Sequence, residues 1–89
     1  MPPARPAQLG QRLSESELRV MRLVINGRSN IEISRELFIS ELTVKSHLGR
    51  IFRKLGARDR GHAGALCIAT RQLHPREVEI IAMPSAVAF

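Results

Sequence analysis

From Leu13 onward, apolar residues recur at three- and four-residue intervals, the spacing of one helix face. Leu18, Val20, Met21, Val24 and Ile25 share a broad face, with Arg19, Arg22 and Asn26 opposite. Ser14 followed by Glu17 is a capping box, in which each side chain satisfies the other residue's free backbone N–H. The pattern predicts a helix from there to about Asn26, with Gly27 as a left-handed stop. Glu17 falls on the apolar side, which suits a cap better than a catalytic acid. Ser29 and Glu32 form a second box, opening a short helix with Ile31, Ile33 and Leu37 available for the core. Phe38-Ile39 breaks it, and Ser40 offers a third cap for a helix from about Glu41 to Leu55, stopped by Gly56. Asp59 caps a fourth helix running to roughly Leu73, before His74-Pro75 ends it. No segment alternates with period two for long enough to make a strand. The pattern predicts an all-α domain of four helices.

The third helix divides most sharply. Placed at 100° intervals, Val44, Leu48, Ile51 and Leu55 fall within an arc of about 60°. Lys45, Gly49, Leu42, Arg53, Ser46 and Arg50 lie on the far side, and Thr43, His47 and Lys54 on the flank. Fifteen helical residues are about 22 Å long, enough to lie in a major groove. A short helix, a tight turn and a longer cationic helix together describe a helix-turn-helix. In that arrangement the N-terminus of the short helix, at Ser29-Asn30, points backbone N–H groups at a phosphate.

Charge gives this geometry a chemical direction. The chain has 89 residues and a formal net charge of +6, of which +5 lies between Lys45 and Arg60. Lys45, Arg50, Arg53, Lys54, Arg58 and Arg60 supply it, against Asp59 alone. A surplus of this kind fits duplex DNA, an anionic membrane or an acidic protein, in that order. With three Phe and neither Trp nor Tyr, the chain has no aromatic platform on which to stack single-stranded bases. No apolar run approaches the ~18–20 residues that span a bilayer, so no membrane partner is expected.

At 44% hydrophobic and 25% charged, the composition is that of one globular domain rather than a disordered chain. The expected division is an arm at residues 1–12, rich in Pro, a domain at 13–73 and a tail at 74–89, either disordered or dimer-associated. Cys67 is alone, so no internal disulfide forms, and its spacing from His62 and His74 fits no zinc pattern. No nucleophile–base pair, phosphate-cradling glycine loop or paired carboxylates point to an enzyme, and no cofactor or metal is implied.

The ordered set Leu13-Ser14-x-x-Glu17, Val20-Met21-x-Leu23, Gly27-x-Ser29-Asn30-x-Glu32-Ile33, Leu37-x-Ile39-Ser40, Thr43-Val44-Lys45-x-His47 and Ile51-x-x-Lys54-Leu55-Gly56 resembles the LuxR-type helix-turn-helix. That is the effector domain of NarL/FixJ-like response regulators and quorum-sensing activators, and the resemblance covers about Leu13 to Leu73. It implies a bacterial, cytoplasmic transcriptional regulator that binds duplex DNA as a homodimer through its third helix. Carried over by position, Lys45 and Ser46 reach base edges, while Thr43, His47 and Arg50 lie near the backbone. Arg53, Lys54, Arg58 and Arg60 add phosphate contacts or local potential. The fourth helix forms much of the dimer contact in that family, which makes Gly64, Ile68 and Arg71 the candidates here.

Three positions depart from the family pattern. Leu42 and Gly49 stand on the groove face where larger polar residues are frequent, which leaves apolar contact with a thymine methyl to Leu42 and close backbone approach to Gly49. His62 stands where an acidic or amide residue is common. Two other readings remain at this stage: a sigma-factor region-four-like module working on RNA polymerase, and a helical dimerisation or adaptor module without DNA binding. No receiver or autoinducer domain fits within 89 residues, so the segment is expected to be one domain of a longer chain or a stand-alone effector.

Overall fold

The computed structural model describes residues 11–79. The expectations for residues 1–10, and for Ile80, Ile81, Met83 and Val87 in the tail, lie outside the described residues.

Four α-helices follow one another: α1 (Glu15–Ile25), α2 (Asn30–Leu37), α3 (Glu41–Leu55) and α4 (Arg60–Ala69), then a 3₁₀ turn at Pro75–Glu77. No strand occurs among the described residues. Each α-helix starts at one of the side-chain caps expected from sequence. Ser14 and Ser29 make both halves of a capping box with Glu17 and Glu32. Ser40 accepts from Thr43 N–H and Asp59 from His62 N–H. His62 also accepts through its side chain, Nδ1 taking Arg58 N–H at 3.1 Å, one residue before the Asp59 N–H that a capping-box acid would engage.

Helix ends are less uniform. Gly27 and Gly56 take positive φ, at 82° and 71°, where the absence of Cβ removes the steric penalty. Phe38 and Arg71 adopt the same left-handed conformation without that advantage, at 58° and 62°. Arg71 explains why α4 stops at Ala69 rather than near Leu73. The Thr70 hydroxyl donates back to Leu66 O at 2.7 Å, Arg71 N–H to Ile68 O at 3.0 Å and Gln72 N–H to Cys67 O at 2.9 Å. That closes the helix in a Schellman pattern. The turn directs Leu73 into the core, where it is almost fully buried.

α3 lies at the centre and packs against all three other helices. Its Val44, Leu48, Ile51 and Leu55 are buried with Val20, Met21 and Val24 of α1, Ile33 of α2, and Ala63 and Cys67 of α4. Ile31 does not join them and is exposed. Two residues before Ile33 on a helix, it points about 200° away, so only one of the pair can face inward. The α1–α4 crossing is tight at Gly64, where a Cβ would lie 3.0 Å from Ile25 Cγ2. Burial pushes the Cys67 thiol up to about 11.

Charged and polar contacts close both ends. Gln72 accepts from Leu13 N–H at 2.6 Å and donates to Gln11 O at 3.2 Å, joining the start of the domain to the end of α4. Beyond α4, residues 74–79 dock on the end of α1. Arg22 pairs with Glu77 at 2.7 Å, Asn26 Nδ2 donates to Glu77 O at 3.1 Å, and Asn26 Oδ1 accepts from Glu79 N–H.

One ion pair runs through the interior side. Glu17 is 1% exposed, and its Oε1 accepts from Lys54 Nζ at 2.8 Å as well as from Ser14 N–H at 2.8 Å. Burial pushes the Glu17 carboxyl up, but the bonds from Lys54 and from Ser14 outweigh it and hold it below its ordinary value. Lys54→Met would leave that carboxylate buried beside no cation, and should cost about 3 kcal/mol at neutral pH. Because the native Glu17 pKa is depressed, its stabilisation is present above the unfolded carboxyl pKa and is lost as pH falls through the folded one. Urea unfolding of both proteins should therefore show a gap that narrows below the carboxylate range. A gap independent of pH would assign the loss to packing of the lysine stem instead.

Candidate nucleic-acid interface

The turn between α2 and α3 is residues 38–40, bounded by the left-handed Phe38 and the cap Ser40. Ile39 N–H donates to Ser34 O at 3.0 Å, which closes α2 and sets the angle at which α3 leaves. With α3 packed on its inner stripe, the opposite side faces outward. Leu42, Thr43, Lys45, Ser46, Arg50 and Arg53 are exposed there, and Gly49 is half-buried between them. Leu42 is 73% exposed, an apolar side chain held at the surface by the helix register rather than by any packing. The Thr43 hydroxyl lies 2.9 Å from that of Ser40 and is engaged in the cap.

Among the described residues, Lys45, Arg50 and Arg53 have no carboxylate within ion-pair distance and no hydrogen-bond acceptor. Two other cations of the basic stretch are engaged inside the fold. Lys54 is the partner of Glu17. Arg60 donates through Nη1 to Asn30 Oδ1 at 2.6 Å and through Nη2 to Arg28 O at 2.8 Å. The guanidinium fork thus bridges the start of α4 to the α1–α2 turn, and Asn30 uses its side-chain oxygen in that bridge. Arg58 is exposed, before the Asp59 cap. His47 is half-buried above a cavity of about 100 Å³ lined by Ser16, Arg19, Val20, Leu37 and Ile39. Its Nδ1 is buried and, among the described residues, has no hydrogen-bond partner.

The residues expected at a dimer contact separate likewise. Gly64 is buried against Ile25 of its own chain. Ile68 is half-buried at the rim of a groove of about 340 Å³ whose walls include Val24, Gly64, Ala65 and Val78. Arg71 is exposed, in the turn that ends α4.

Arg60, Asn30 and the docking of residues 74–79 are structural features that sequence patterning did not separate from the basic stretch. The docking alone has a signal in the sequence, Glu77 and Glu79, the acids that follow Asp59. They offer partners to Arg22 and Arg28, but nothing in their spacing says so.

A central helix braced on one side, led in by a three-residue turn and cationic on the other, is a helix-turn-helix nucleic-acid-binding module. The sequence pattern of the luxR family of bacterial regulatory proteins (GerE) matches residues 11–66, and the chain belongs to that family. It is a DNA-binding family of transcriptional regulators, not an enzymatic one. The chain is 38% identical over 61 residues to the uncharacterized transcriptional regulatory protein YxjL of Bacillus subtilis, covering 68% of this chain and 28% of that protein. It is 43% identical over 54 residues to a nitrate/nitrite response regulator protein homolog of Haemophilus influenzae, covering 61% and 26%. With LiaR of Bacillus subtilis, identity is 43% over 51 residues, covering 57% and 24%. The match thus spans about a quarter of the length of these relatives. No helix among the described residues is long and apolar enough to cross a membrane.

Arg60→Ala removes both bonds to the α1–α2 turn and should lower stability by about 1–2 kcal/mol, since hydrogen bonds from a charged group carry that order of free energy. Arg60→Lys, which has no fork, should recover less than half. Thermal unfolding of the three proteins measures this, and equal midpoints for Arg60→Ala and the native chain would show that the bridge holds nothing together.

Proposed function

We propose that this domain binds duplex DNA sequence-specifically, with α3 in the major groove, as the effector of a bacterial transcriptional regulator acting in the cytoplasm. One observation carries the reading. The basic stretch splits into cations engaged within the fold, Lys54 and Arg60, and cations turned outward from α3 without partners among the described residues, Lys45, Arg50 and Arg53. A face serving only solvation ordinarily mixes both signs, whereas from Leu42 to Leu55 this helix carries no acid at all.

Lys45 and Ser46, in the first half of α3, are the proposed base-edge contacts, with Leu42 beside them as an apolar contact for a thymine methyl. Arg50 and Arg58 contact phosphates. Thr43, fixed by Ser40, packs against the backbone at the helix start. Lys54 and Arg60 drop out of the direct set and act through the geometry they hold, and Asn30 joins them, leaving the α2 N-terminal N–H groups to face a phosphate. His47 packs beneath the face. Pairing of two copies through α4 belongs to the same proposal, with Ile68 and Arg71 as its outward residues. Two half-sites should then lie about one helical turn, ~10 bp, apart.

Binding to a selected duplex and to random duplex, measured between 50 and 200 mM salt, tests this. Each phosphate neutralised contributes roughly −0.9 to the slope of log affinity on log salt, so Lys45, Arg50, Arg53 and Arg58 together set an upper bound of about −3 to −4 per chain. Lys45→Ala should narrow the preference for the selected duplex about tenfold. Arg50→Ala should weaken both duplexes alike and reduce the slope by about 1. Affinity that does not respond to salt would overturn the reading and leave a helical adaptor module.

A further inference from the structure

Residues 45, 49 and 53 form one row on the outward face of α3, spaced one turn apart. The first is a lysine and the last an arginine, while the middle one has no side chain. Helical side chains lean toward the N-terminus, over the turn that precedes them. The side chain of Arg53 follows that rule into the gap. A Cβ built on Gly49 would meet Arg53 Nη1 at 3.7 Å, ordinary van der Waals distance. The guanidinium therefore lies beside the place where a side chain at position 49 would begin, in the space that its outer atoms would fill. It reaches back from its own Cα toward the reading end of α3. Arg53 is exposed and, among the described residues, has no acceptor for its five donors.

We propose that Arg53 is a specificity-determining residue that reads a guanine through the space left by Gly49. An arginine so late in a recognition helix would ordinarily reach a phosphate, because the helix leaves the groove toward its C-terminal end. Here position 49 carries no long side chain to compete for that space, and the guanidinium lies against it on the outward face. Its planar fork matches the O6 and N7 acceptors on the major-groove edge of guanine, a match that an ammonium at the same place lacks. Gly49 acts as the permissive residue rather than as a point of close backbone approach. The inference rests on the groove-binding reading above and names a base-contacting residue within it.

The experiment is selection of bound sequences from a random duplex pool, with affinities of the winners, for the native chain, Arg53→Ala, Arg53→Lys and Gly49→Gln. The native chain should select a guanine at one position per half-site, favoured about tenfold or more. Arg53→Ala should lose that preference while the other selected positions persist. Arg53→Lys should lose it too, with the salt slope unchanged, since charge is kept and only the fork is removed. Gly49→Gln should refill the gap, displace the guanidinium and shift the preference at the same position. Arg53 has no partner within the described fold, so unchanged thermal midpoints for its two variants are expected. If the native chain binds but Arg53→Ala weakens every sequence by one factor, and Arg53→Lys restores it, Arg53 is a phosphate contact and this inference falls alone. A native chain that binds no duplex removes the groove reading itself.

Discussion

The carboxylate of Glu17 sits where three demands meet. It completes the cap of α1, it neutralises Lys54 near the end of α3, and it does both from a nearly sealed position. A buried charge of this sort is tolerable only while it is paired and hydrogen-bonded. Its geometry therefore dictates where the last turn of α3 lies against the first turn of α1. The backbone of Lys54 adds to the joint, its carbonyl accepting from Gln11 N–H at 3.3 Å. The apolar stripe of Val44, Leu48, Ile51 and Leu55 decides which face of α3 turns inward. The ion pair pins the last turn of that helix at one further point, and stripe and pair together fix which residues turn outward.

That setting gives the formal charge of the chain a physical meaning it lacks in the sequence. Arg22, Arg28, Lys54 and Arg60 are engaged with carboxylates, carbonyls or an amide of the fold. They hold α1, α2, α4 and the segment after α4 in register. Lys45, Arg50 and Arg53 project from the central helix, which packs against all three others. The inward group is directional and short-ranged, so each member has a specific partner. The outward group shares a field, which attracts a polyanion from a distance before any contact forms.

Much of this architecture was legible in the amino-acid pattern, and the reason is local. Ser14 with Glu17, Ser29 with Glu32, Ser40 and Asp59 act on backbone N–H groups within their own helix, so reading them needs no knowledge of the rest. α3 and its two faces followed from periodicity alone. What escaped the pattern depends on contacts distant in sequence or on conformations without a residue signature. Arg60 and Asn30 look like a cation and a polar cap until the fold brings them together across thirty positions. Arg71 ends α4 in a conformation that glycine usually marks. Ile31 and Ile33 are equally apolar, and only the tilt of α2 decides which turns inward. The placement of Arg53 over Gly49 is visible only once side-chain direction is known.

The sole cysteine gives the domain a built-in clock. Cys67 lies on the wall of α4 that closes the core, with its thiol pKa pushed by burial up to about 11. A thiol is attacked or attacks only as an accessible thiolate. A disulfide reagent can therefore modify this chain only in the brief intervals when α4 swings away or the whole domain opens. The rate of modification then counts those intervals, with no label added and no residue changed.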